Sequence, residues 1–214
     1  MTRQKKLIIA CDGESASGKS TASKLISKKY KLLLINSGLL YRYASKLIIK
    51  HKPKNQITFI KNKFKNVSYA KISKQKLHSE QISNHVADLA KIKEIRETIN
   101  KVQISIIRKN KRICVEGRDI ASKILSKHPK YDLAFYFKCS LDVASYRRWL
   151  DIKKKLPLKE VKKSLKKRTL TDKNRKHSPL KRVKDSILIR SDQLTKKQVL
   201  SKMSTYIDRL NNKN

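Results

Sequence analysis

Short apolar runs alternate with longer, more polar segments along the 214-residue chain. The runs KKLIIACDG, KLLLIN, RICVEG, LAFYFKC and SILIRS are continuously apolar, which predicts five strands whose two faces are both buried. The segments between them carry apolar residues at helical spacing, and TKKQVLSKMSTYIDRL closes the chain as a helix. This alternation predicts an α/β fold, a doubly wound parallel sheet of about five strands, in a single domain over residues 1–214.

Helical spacing also predicts where individual helices lie. One begins at about Lys19, another covers LLYRYASKLIIK, and a third covers DVASYRRWLDIKKK. The longest is expected from about His85 to Lys109. Its apolar face would consist of Val86, Leu89, Ile92, Ile95, Ile99, Val102 and Ile106.

Two segments fit this scheme less well. Residues 51–80 lie between the second and third predicted strands and are too long for a plain connection. Residues 153–181 are dominated by Lys, Arg, Ser and Thr and show almost no apolar stripe. The second segment is open to two interpretations, a solvated helix or disordered loop, or a mobile basic lid.

The charge balance is extreme, with 55 Lys+Arg against 16 Asp+Glu and a formal net charge of +39. Such a charge attracts nucleic acid without sequence specificity. The excess is spread over stretches such as SKKYK, KNKFK and SLKKR, a pattern typical of an A/T-rich coding sequence. Both interpretations stay open, and the charge does not decide the function.

The apolar segments are all short. No run of about 18 apolar residues exists, which predicts no membrane span, and the N-terminal apolar stretch is too short for a signal peptide. Cys11, Cys114 and Cys139 lack metal-type spacing and lie in apolar runs, so we expect buried, reduced thiols. These features predict a cytoplasmic protein.

The stretch GESASGKST fits the pattern G-x-x-x-x-G-K-[ST] and lies between a predicted strand and a predicted helix. Glycines let the chain turn so that backbone N–H groups point inward, and the helix N-terminus adds partial positive charge. Lys19 would reach the β- and γ-phosphates of a nucleotide, and the Ser20 hydroxyl would bind Mg²⁺. The residues predicted to bind the nucleotide phosphates are Gly13, Glu14, Ser15, Ala16, Ser17, Gly18, Lys19, Ser20 and Thr21.

Arginines stand near the predicted strand ends although the chain is rich in Lys. Arg42 follows the second strand in NSGLLYR, Arg96 lies on the long helix, and Arg118 and Asp119 follow the third strand in VEGRD. Ligands of open α/β sheets bind at the carboxyl ends of the strands. Because only Arg presents a planar fork to phosphate oxygens, these positions predict a second phosphate opposite the first.

The chain resembles the cytidylate kinase family, the bacterial CMP/dCMP kinases of the nucleoside monophosphate kinase superfamily. The matching stretches are GESASGKST, NSGLLYR, ISNHVADLAKIKEIRE, VEGRDIAS, FKCSLDVASYRRW and RTLTDKNRKHSPLKRVKDSILI, in the family's order. The resemblance implies a P-loop kinase core, an inserted monophosphate-binding segment at about residues 51–95 and a lid at about residues 153–181. It also implies a monomer that uses ATP, Mg²⁺ and CMP or dCMP.

The resemblance further implies roles for residues around the acceptor nucleotide. Ser37 would contact the pyrimidine of CMP, and Arg42 and Arg96 would grip its phosphate. Arg118 and Asp119 would contact the phosphate and the sugar or base region of the nucleotide.

In the lid, the resemblance implies that Arg168 and Arg175 approach the transferring phosphate and that Asp172 faces the monophosphate nucleoside. Arg147 and Arg148 would help to bind the ATP phosphates. The predicted catalytic residues are Lys19, Arg118, Arg168 and Arg175, and the predicted substrate-binding residues are Ser37, Arg42, Arg96, Arg118, Asp119, Asp172 and Arg175.

Several positions depart from the family pattern, namely Asn36, Ala87, Thr169 and Arg190. Ala87 replaces a helix serine, which bears on pyrimidine selectivity, and the other changes mainly remove negative charge. Glu14 stands where the family more often has Pro. A carboxylate beside bound phosphates would repel them, so we expect the Glu14 side chain to face solvent.

The sequence therefore predicts ATP-dependent phosphorylation of CMP or dCMP, without a specific nucleic-acid partner. One alternative is a kinase for another acceptor such as UMP. A second is a basic nucleic-acid-binding protein that uses the phosphate loop as a switch. The low aromatic content of 6% and the lack of an RNP-like motif count against the second alternative.

Overall fold

The computed structural model describes residues 5–127 and 129–213, so residues 1–4, 128 and 214 lie outside the description. The elements in chain order are β1 (Leu7–Gly13), α1 (Lys19–Lys29), β2 (Leu33–Asn36), α2 (Ser37–His51), α3 (Gln56–Phe64), α4 (Tyr69–Ser73), α5 (Glu80–Leu89), α6 (Lys93–Arg108), β3 (Arg112–Glu116), a π-helix (Ile120–Ile124), β4 (Leu133–Lys138), α7 (Leu141–Asp151), α8 (Leu158–Asn174), β5 (Ile187–Arg190) and α9 (Lys196–Lys213).

The predicted parallel sheet is confirmed. Its strand order is β2-β3-β1-β4-β5, and every neighbouring pair of strands is parallel. The connection after β1 leads to β2 at one edge of the sheet, whereas the connection after the neighbouring strand β3 passes β1 and leads to β4 on the other side. Ligands of doubly wound sheets bind at such a switch point. The ends of β1 and β3 meet here, with Cys11 paired to Glu116, and Gly13 is paired to Phe137 of β4.

Both faces of the sheet are covered, as the continuous apolar strands predicted. On one face, Ile9 and Phe137 pack against α1 and α9, which contribute Ile26 and Met203. The opposite face packs against α6 and the π-helix. Its buried residues include Ile8, Ala10, Ile35, Ile107, Ile113, Val115, Ile120 and Leu125.

The prediction of one long helix from His85 to Lys109 is wrong, because α5 and α6 are separate. The α5 helix is closed by a bond from the Ala90 N–H to the Val86 carbonyl at 2.9 Å. Ile92 then adopts extended backbone angles, with φ −76° and ψ 115°. Arg96 Nη1 donates to the freed Ala90 carbonyl at 3.2 Å, which satisfies a polar group at the break. The apolar stripe continues across the break, so periodicity alone could not reveal it.

The segment predicted as an insertion, residues 51–95, contains α3, α4, α5 and the first residues of α6. Ile60, Phe64, Leu77 and Leu89 are buried there in a small core shared with α2. The segment predicted as a lid or disordered loop contains α8. Its apolar stripe consists of Val161 and Leu165, which pack against α7 beside Ala144 and Trp149. Two apolar residues one turn apart are therefore enough to dock this basic helix.

Cys11, Cys114 and Cys139 are buried and free, as expected. Among the described helices, none combines the length and apolar character needed to cross a membrane.

Candidate active site

The phosphate loop joins the end of β1 to the start of α1, as predicted. Ala16 and Gly18 have positive φ values of 56° and 81°, which turn the backbone around the loop. Ser17 Oγ donates to the Glu14 carbonyl at 2.9 Å, and Ser191 Oγ donates to the Ser17 carbonyl at 2.9 Å. Side chains thus hold the loop from inside and from the segment after β5. The loop opens onto the N-terminus of α1, which favours anions.

Gly13 is required where the loop leaves the sheet. Its φ is +154°, and a Cβ at this position would lie 2.4 Å from the Phe137 carbonyl oxygen. The next residue, Glu14, donates its N–H to that same oxygen at 3.1 Å. Close contact between β1 and β4 therefore fixes the first residues of the loop.

Lys19 is buried at the start of α1, with Nζ 3.6 Å from Glu116 Oε2. Burial, followed by the positive charge of Arg118, lowers the pKa of Lys19, whereas Glu116 and Asp12 raise it. Ser20 follows in the first turn with an exposed side chain. Lys19 is therefore held at the centre of the site, and the Ser20 hydroxyl is accessible at its mouth.

Asp12 fixes the turn that follows β3. Its two carboxylate oxygens accept the N–H groups of Ile120 and Ala121 at 2.9 and 2.8 Å. Burial raises the pKa of Asp12 to about 6, although these two hydrogen bonds lower it. The π-helix is thereby tied to β1, and Arg118 and Asp119 just before it are held close to the loop.

Arg118 connects the phosphate loop to the lid segment. Its Nη2 donates to Ser15 Oγ at 3.1 Å, and its Nε donates to Asp172 Oδ2 at 2.9 Å. A third N–H donates to the Gly117 carbonyl at 3.2 Å. The planar guanidinium thus contacts the loop, the turn after β3 and α8 together. The predicted convergence of these parts is present in the fold.

The stretches NSGLLYR and VEGRD also meet. Ser37 is buried at the start of α2, and a Cβ at Gly117 would lie 3.3 Å from the Ser37 Cβ. Arg42, one and a half turns further along α2, donates from Nη1 to the Leu77 carbonyl and to Ser83 Oγ at 3.1 and 2.9 Å. Burial and then the charges of Arg148 and Arg118 lower the pKa of Arg42. Arg42 therefore lies among other cations.

Asp119 joins two of the predicted arginines. Arg96 Nη2 lies 2.5 Å from Asp119 Oδ2, and Arg175 Nη2 lies 3.5 Å from Asp119 Oδ1. Arg175 also approaches Asp172 Oδ1 at 3.6 Å, and its Nε donates to the Ser178 carbonyl. Asp119 and Asp172 thus hold arginines from α6, from the turn after β3 and from the lid in one cluster.

Arg168 lies on α8 within the same cationic cluster. Burial and then the charge of Arg118 lower its pKa to about 10, and Arg42 and Arg148 act in the same direction. The carboxylate of Asp172 acts against them and raises the pKa. The guanidinium stays charged at neutral pH, in surroundings that favour the arrival of an anion.

Two predicted roles need correction. Arg147 donates to Ser191 Oγ at 3.0 Å and to the Ser191 carbonyl at 2.6 Å, so its guanidinium is used to dock α7 on the segment after β5. Glu14 does not face solvent. Its side chain is 13% exposed, and Oε1 lies 2.7 Å from Nζ of Lys173 in the last turn of α8.

No role was predicted for Glu116, which lies in the stretch VEGRD just before Gly117. Glu116 is 1% exposed, and within the described residues neither of its carboxylate oxygens has a hydrogen-bond partner. A strand-end acid beside a phosphate loop was the available signal. Lys173 was also missed, since one lysine among many in a basic helix gives no signal of its own.

The oxygen donors fit a magnesium ion. Mg²⁺ prefers oxygen ligands and usually takes one or two from the protein, with water and substrate phosphates completing the shell. The Ser20 hydroxyl and the unbonded oxygens of Glu116 are of this kind. In the part of the chain that is described, no group of three or more His, Cys, Asp or Glu side chains forms a metal cage.

An open cavity of about 680 Å³ lies where α7, the start of α8 and the segment after β5 meet. Val143, Tyr146 and Leu158 supply apolar lining, and Arg147 and Asp192 supply polar groups. The Arg147–Ser191–Ser17 hydrogen bonds connect this cavity to the phosphate loop.

Comparison with known proteins gives a family match over most of the chain. Residues 9–209 match the family described as cytidylate kinase. A cytidylate kinase from Clostridium botulinum is 30% identical, and the match covers 93% of this chain and 96% of the relative. A bifunctional pantoate ligase/cytidylate kinase from Prochlorococcus marinus is 33% identical over 98% of this chain, which corresponds to 44% of that longer protein.

Solved structures resemble the fold at low sequence identity. A gluconokinase from Sinorhizobium meliloti has a TM-score of 0.55 at 12% identity and covers 99% of both chains. A shikimate kinase from Bacteroides thetaiotaomicron has a TM-score of 0.51 at 11% identity and covers 96% of this chain and 98% of its own. These similarities concern the fold alone.

Proposed function

The chain belongs to the cytidylate kinase family, and we propose that it transfers the γ-phosphoryl group of ATP to CMP or dCMP at the arginine cluster beside the phosphate loop. The chain is an enzyme, a kinase that phosphorylates CMP. One observation carries the assignment of the site. Arg118 contacts Ser15 of the loop and Asp172 of α8 at the same time, so donor loop and lid segment share one cation.

The phosphate loop is the proposed donor site. Lys19 and the N–H groups of the loop from Ser15 to Thr21 bind the ATP phosphates, and the cavity beside Val143 and Asp192 takes the adenine. Ser20 and Glu116 would hold Mg²⁺, which would supply positive charge to the nucleotide phosphates.

The acceptor site lies across the arginine cluster from the loop. Arg42 and Arg118 bind the CMP phosphate, Arg96 holds Asp119 beside them, and Ser37 lies near the pyrimidine. Asp119 and Asp172 face the nucleoside, and each is within 4 Å of an arginine. Helices α3 to α5 form the monophosphate-binding insertion, and α8 is the lid. The guanidinium groups, which are held by their carboxylate partners, then orient the CMP phosphate towards the phosphate loop.

The chemistry requires positioning and charge stabilisation. An oxygen of the CMP phosphate is itself the nucleophile, so no side-chain base is needed. As negative charge spreads over the transferring group, Lys19, Arg118, Arg168 and Arg175 stabilise it, and their burial strengthens each interaction. Closure of the α8 lid over the bound phosphates would exclude water, which would protect ATP from hydrolysis.

The proposed function is tested by coupled measurement of ADP release with CMP, dCMP, UMP and AMP as acceptors and with single-stranded RNA as an additive. We expect turnover with CMP and dCMP and weak turnover with AMP. No turnover with either cytidine nucleotide would refute the proposal. Turnover with UMP alone would favour the other acceptor, and RNA-stimulated hydrolysis would favour a switch. Cytoplasmic location and a monomeric state stay predictions.

A further inference from the structure

The contact between Glu14 and Lys173 is used by none of the steps above. Glu14 is the first residue after β1, and its backbone N–H is fixed to Phe137 of β4. Its carboxylate is therefore attached to a rigid part of the donor loop. Lys173 comes from the lid helix α8, which is distant in sequence. The 2.7 Å pair joins the donor loop to the lid.

A second pair stands next to it with the opposite arrangement of charge. Asp172 of the lid binds Arg118 of the core, whereas Lys173 of the lid binds Glu14 of the core. Adjacent lid residues thus present one anion and one cation to matching partners. This arrangement specifies one docked position for the end of α8, because a shift of one residue would oppose like charges.

The negative charge of Glu14 bears directly on donor binding. The carboxylate lies in the loop that receives the phosphates, so when it is unpaired it opposes their binding. Lys173 neutralises it only when the end of α8 is docked. The loop is therefore a better anion site with the lid docked than with the lid displaced.

We propose that Lys173 is a positioning residue that neutralises Glu14 and thereby couples binding of the donor phosphates to docking of the lid. The inference rests on the proposed binding of ATP at this loop. Lys173 acts through Glu14 and does not itself contact the phosphates. The coupling favours ATP binding in the closed geometry, in which Arg168 and Arg175 of the lid segment are near the transferring group.

The proposal is tested with a double-mutant cycle on Glu14 and Lys173. Lys173→Gln should raise the KM for ATP about tenfold, because it leaves the Glu14 carboxylate unpaired in the loop. Glu14→Gln should lower the KM for ATP a few-fold, on the order of threefold. In the double variant, loss of Lys173 should have no further effect beyond that of Glu14→Gln alone. Lys173→Arg should restore the wild-type value.

The matched control is Lys163→Gln, which removes an exposed lysine from the same helix. It should leave the KM for ATP within about twofold of wild type. The same double-mutant cycle can be measured without turnover, by determining the Kd for ATP of each variant by isothermal titration calorimetry in the absence of acceptor. If the wild type binds ATP but does not phosphorylate CMP, the proposed function fails while the cycle still tests the coupling.

Three results would overturn the inference. An unchanged KM for ATP in Lys173→Gln would remove any role for the pair. An equal penalty in the presence and absence of Glu14 would show that Lys173 contacts the phosphates directly. A rise in the KM for CMP as large as that for ATP would place the effect on the acceptor side.

Discussion

Replacing Arg118 by Lys tests whether planar, multidentate contact is required at the centre of the site. The change keeps the positive charge but removes the guanidinium fork. Arg118 donates to Ser15 Oγ, Asp172 Oδ2 and the Gly117 carbonyl at 3.1, 2.9 and 3.2 Å. A lysine ammonium is a single point on a flexible stem and cannot hold the loop and the lid together. We expect kcat for CMP phosphorylation to fall about a hundredfold.

The magnitude follows from the contacts. Hydrogen bonds to charged groups contribute about 1.5–3 kcal/mol each. A lysine at position 118 could keep the contact with Ser15 or the one with Asp172, so one such interaction is lost when phosphate is held between them. A loss of about 2.7 kcal/mol in the transition state corresponds to the hundredfold decrease.

The assay is coupled ADP release at saturating ATP and CMP, together with the free energy of unfolding of each variant. Arg112→Lys is the matched control, since Arg112 lies at the opposite end of β3 and donates to the carbonyls of Lys5 and Tyr30 at 2.6 and 2.7 Å. We expect Arg112→Lys to lower the free energy of unfolding by about 1–2 kcal/mol and to leave kcat within about twofold. Near-wild-type turnover of Arg118→Lys would remove Arg118 from the mechanism.

Four further variants test other parts of the site. Gly13→Ala should lower the free energy of unfolding by about 2–4 kcal/mol and weaken ATP binding. The reason is that the new Cβ would lie 2.4 Å from the Phe137 carbonyl oxygen, on a backbone with a φ of +154°. Unchanged urea-unfolding curves and unchanged ATP-binding titrations would contradict this. The folded state raises the pKa of Asp12 from 3.8 to about 6, so the stability that this group contributes is present below about pH 4 and is lost as pH rises through 6. Between about pH 4 and pH 6 the free energy of unfolding of the wild type should therefore fall by about 3 kcal/mol, and Asp12→Asn should not show this decrease. Urea unfolding at several pH values measures it, and parallel plots of unfolding free energy against pH for the two proteins would refute the prediction. Arg175→Lys should lower kcat more than Arg96→Lys does, whereas Arg96→Lys should mainly lower the unfolding temperature. If Arg96→Lys lowered kcat more, Arg96 would be the residue that acts on the transferred group and Arg175 the one that holds Asp119.

Most of the fold could be predicted because strand burial leaves a direct mark on sequence. A strand covered on both faces must be apolar throughout, and β1, β3 and β4 are buried over most of their length. The edge strands β2 and β5 were also predicted to be buried, but they are only partly covered, and Leu33 of β2 is 39% exposed. The break between α5 and α6 could not be predicted in this way. It depends on a bond from Arg96 to the Ala90 carbonyl, which is a tertiary contact that periodicity does not record.

The site was predictable to the extent that it follows from motif and strand position. The loop, Arg118 and Asp119 lie at strand ends, where the topology of a doubly wound sheet brings ligands. The orientation of side chains was not predictable. Solvent was expected around Glu14 because only the phosphates were considered as its neighbours, whereas the lid supplies Lys173. Arg147 was expected at a phosphate, and it instead binds Ser191, whose hydroxyl supports the loop.

The distances around Asp119 divide the arginines into two kinds. Arg96 is 3% exposed and is bound at both ends, to Asp119 at 2.5 Å and to the Ala90 carbonyl at 3.2 Å. Arg175 meets the carboxylates of Asp119 and Asp172 only at 3.5 and 3.6 Å, and its buried Nη2 has no hydrogen-bond partner within the described residues. A buried donor left without a partner is costly, and a phosphoryl oxygen would satisfy it. Arg96 therefore holds Asp119 in place, and Arg175 has an N–H group free for the group that is transferred.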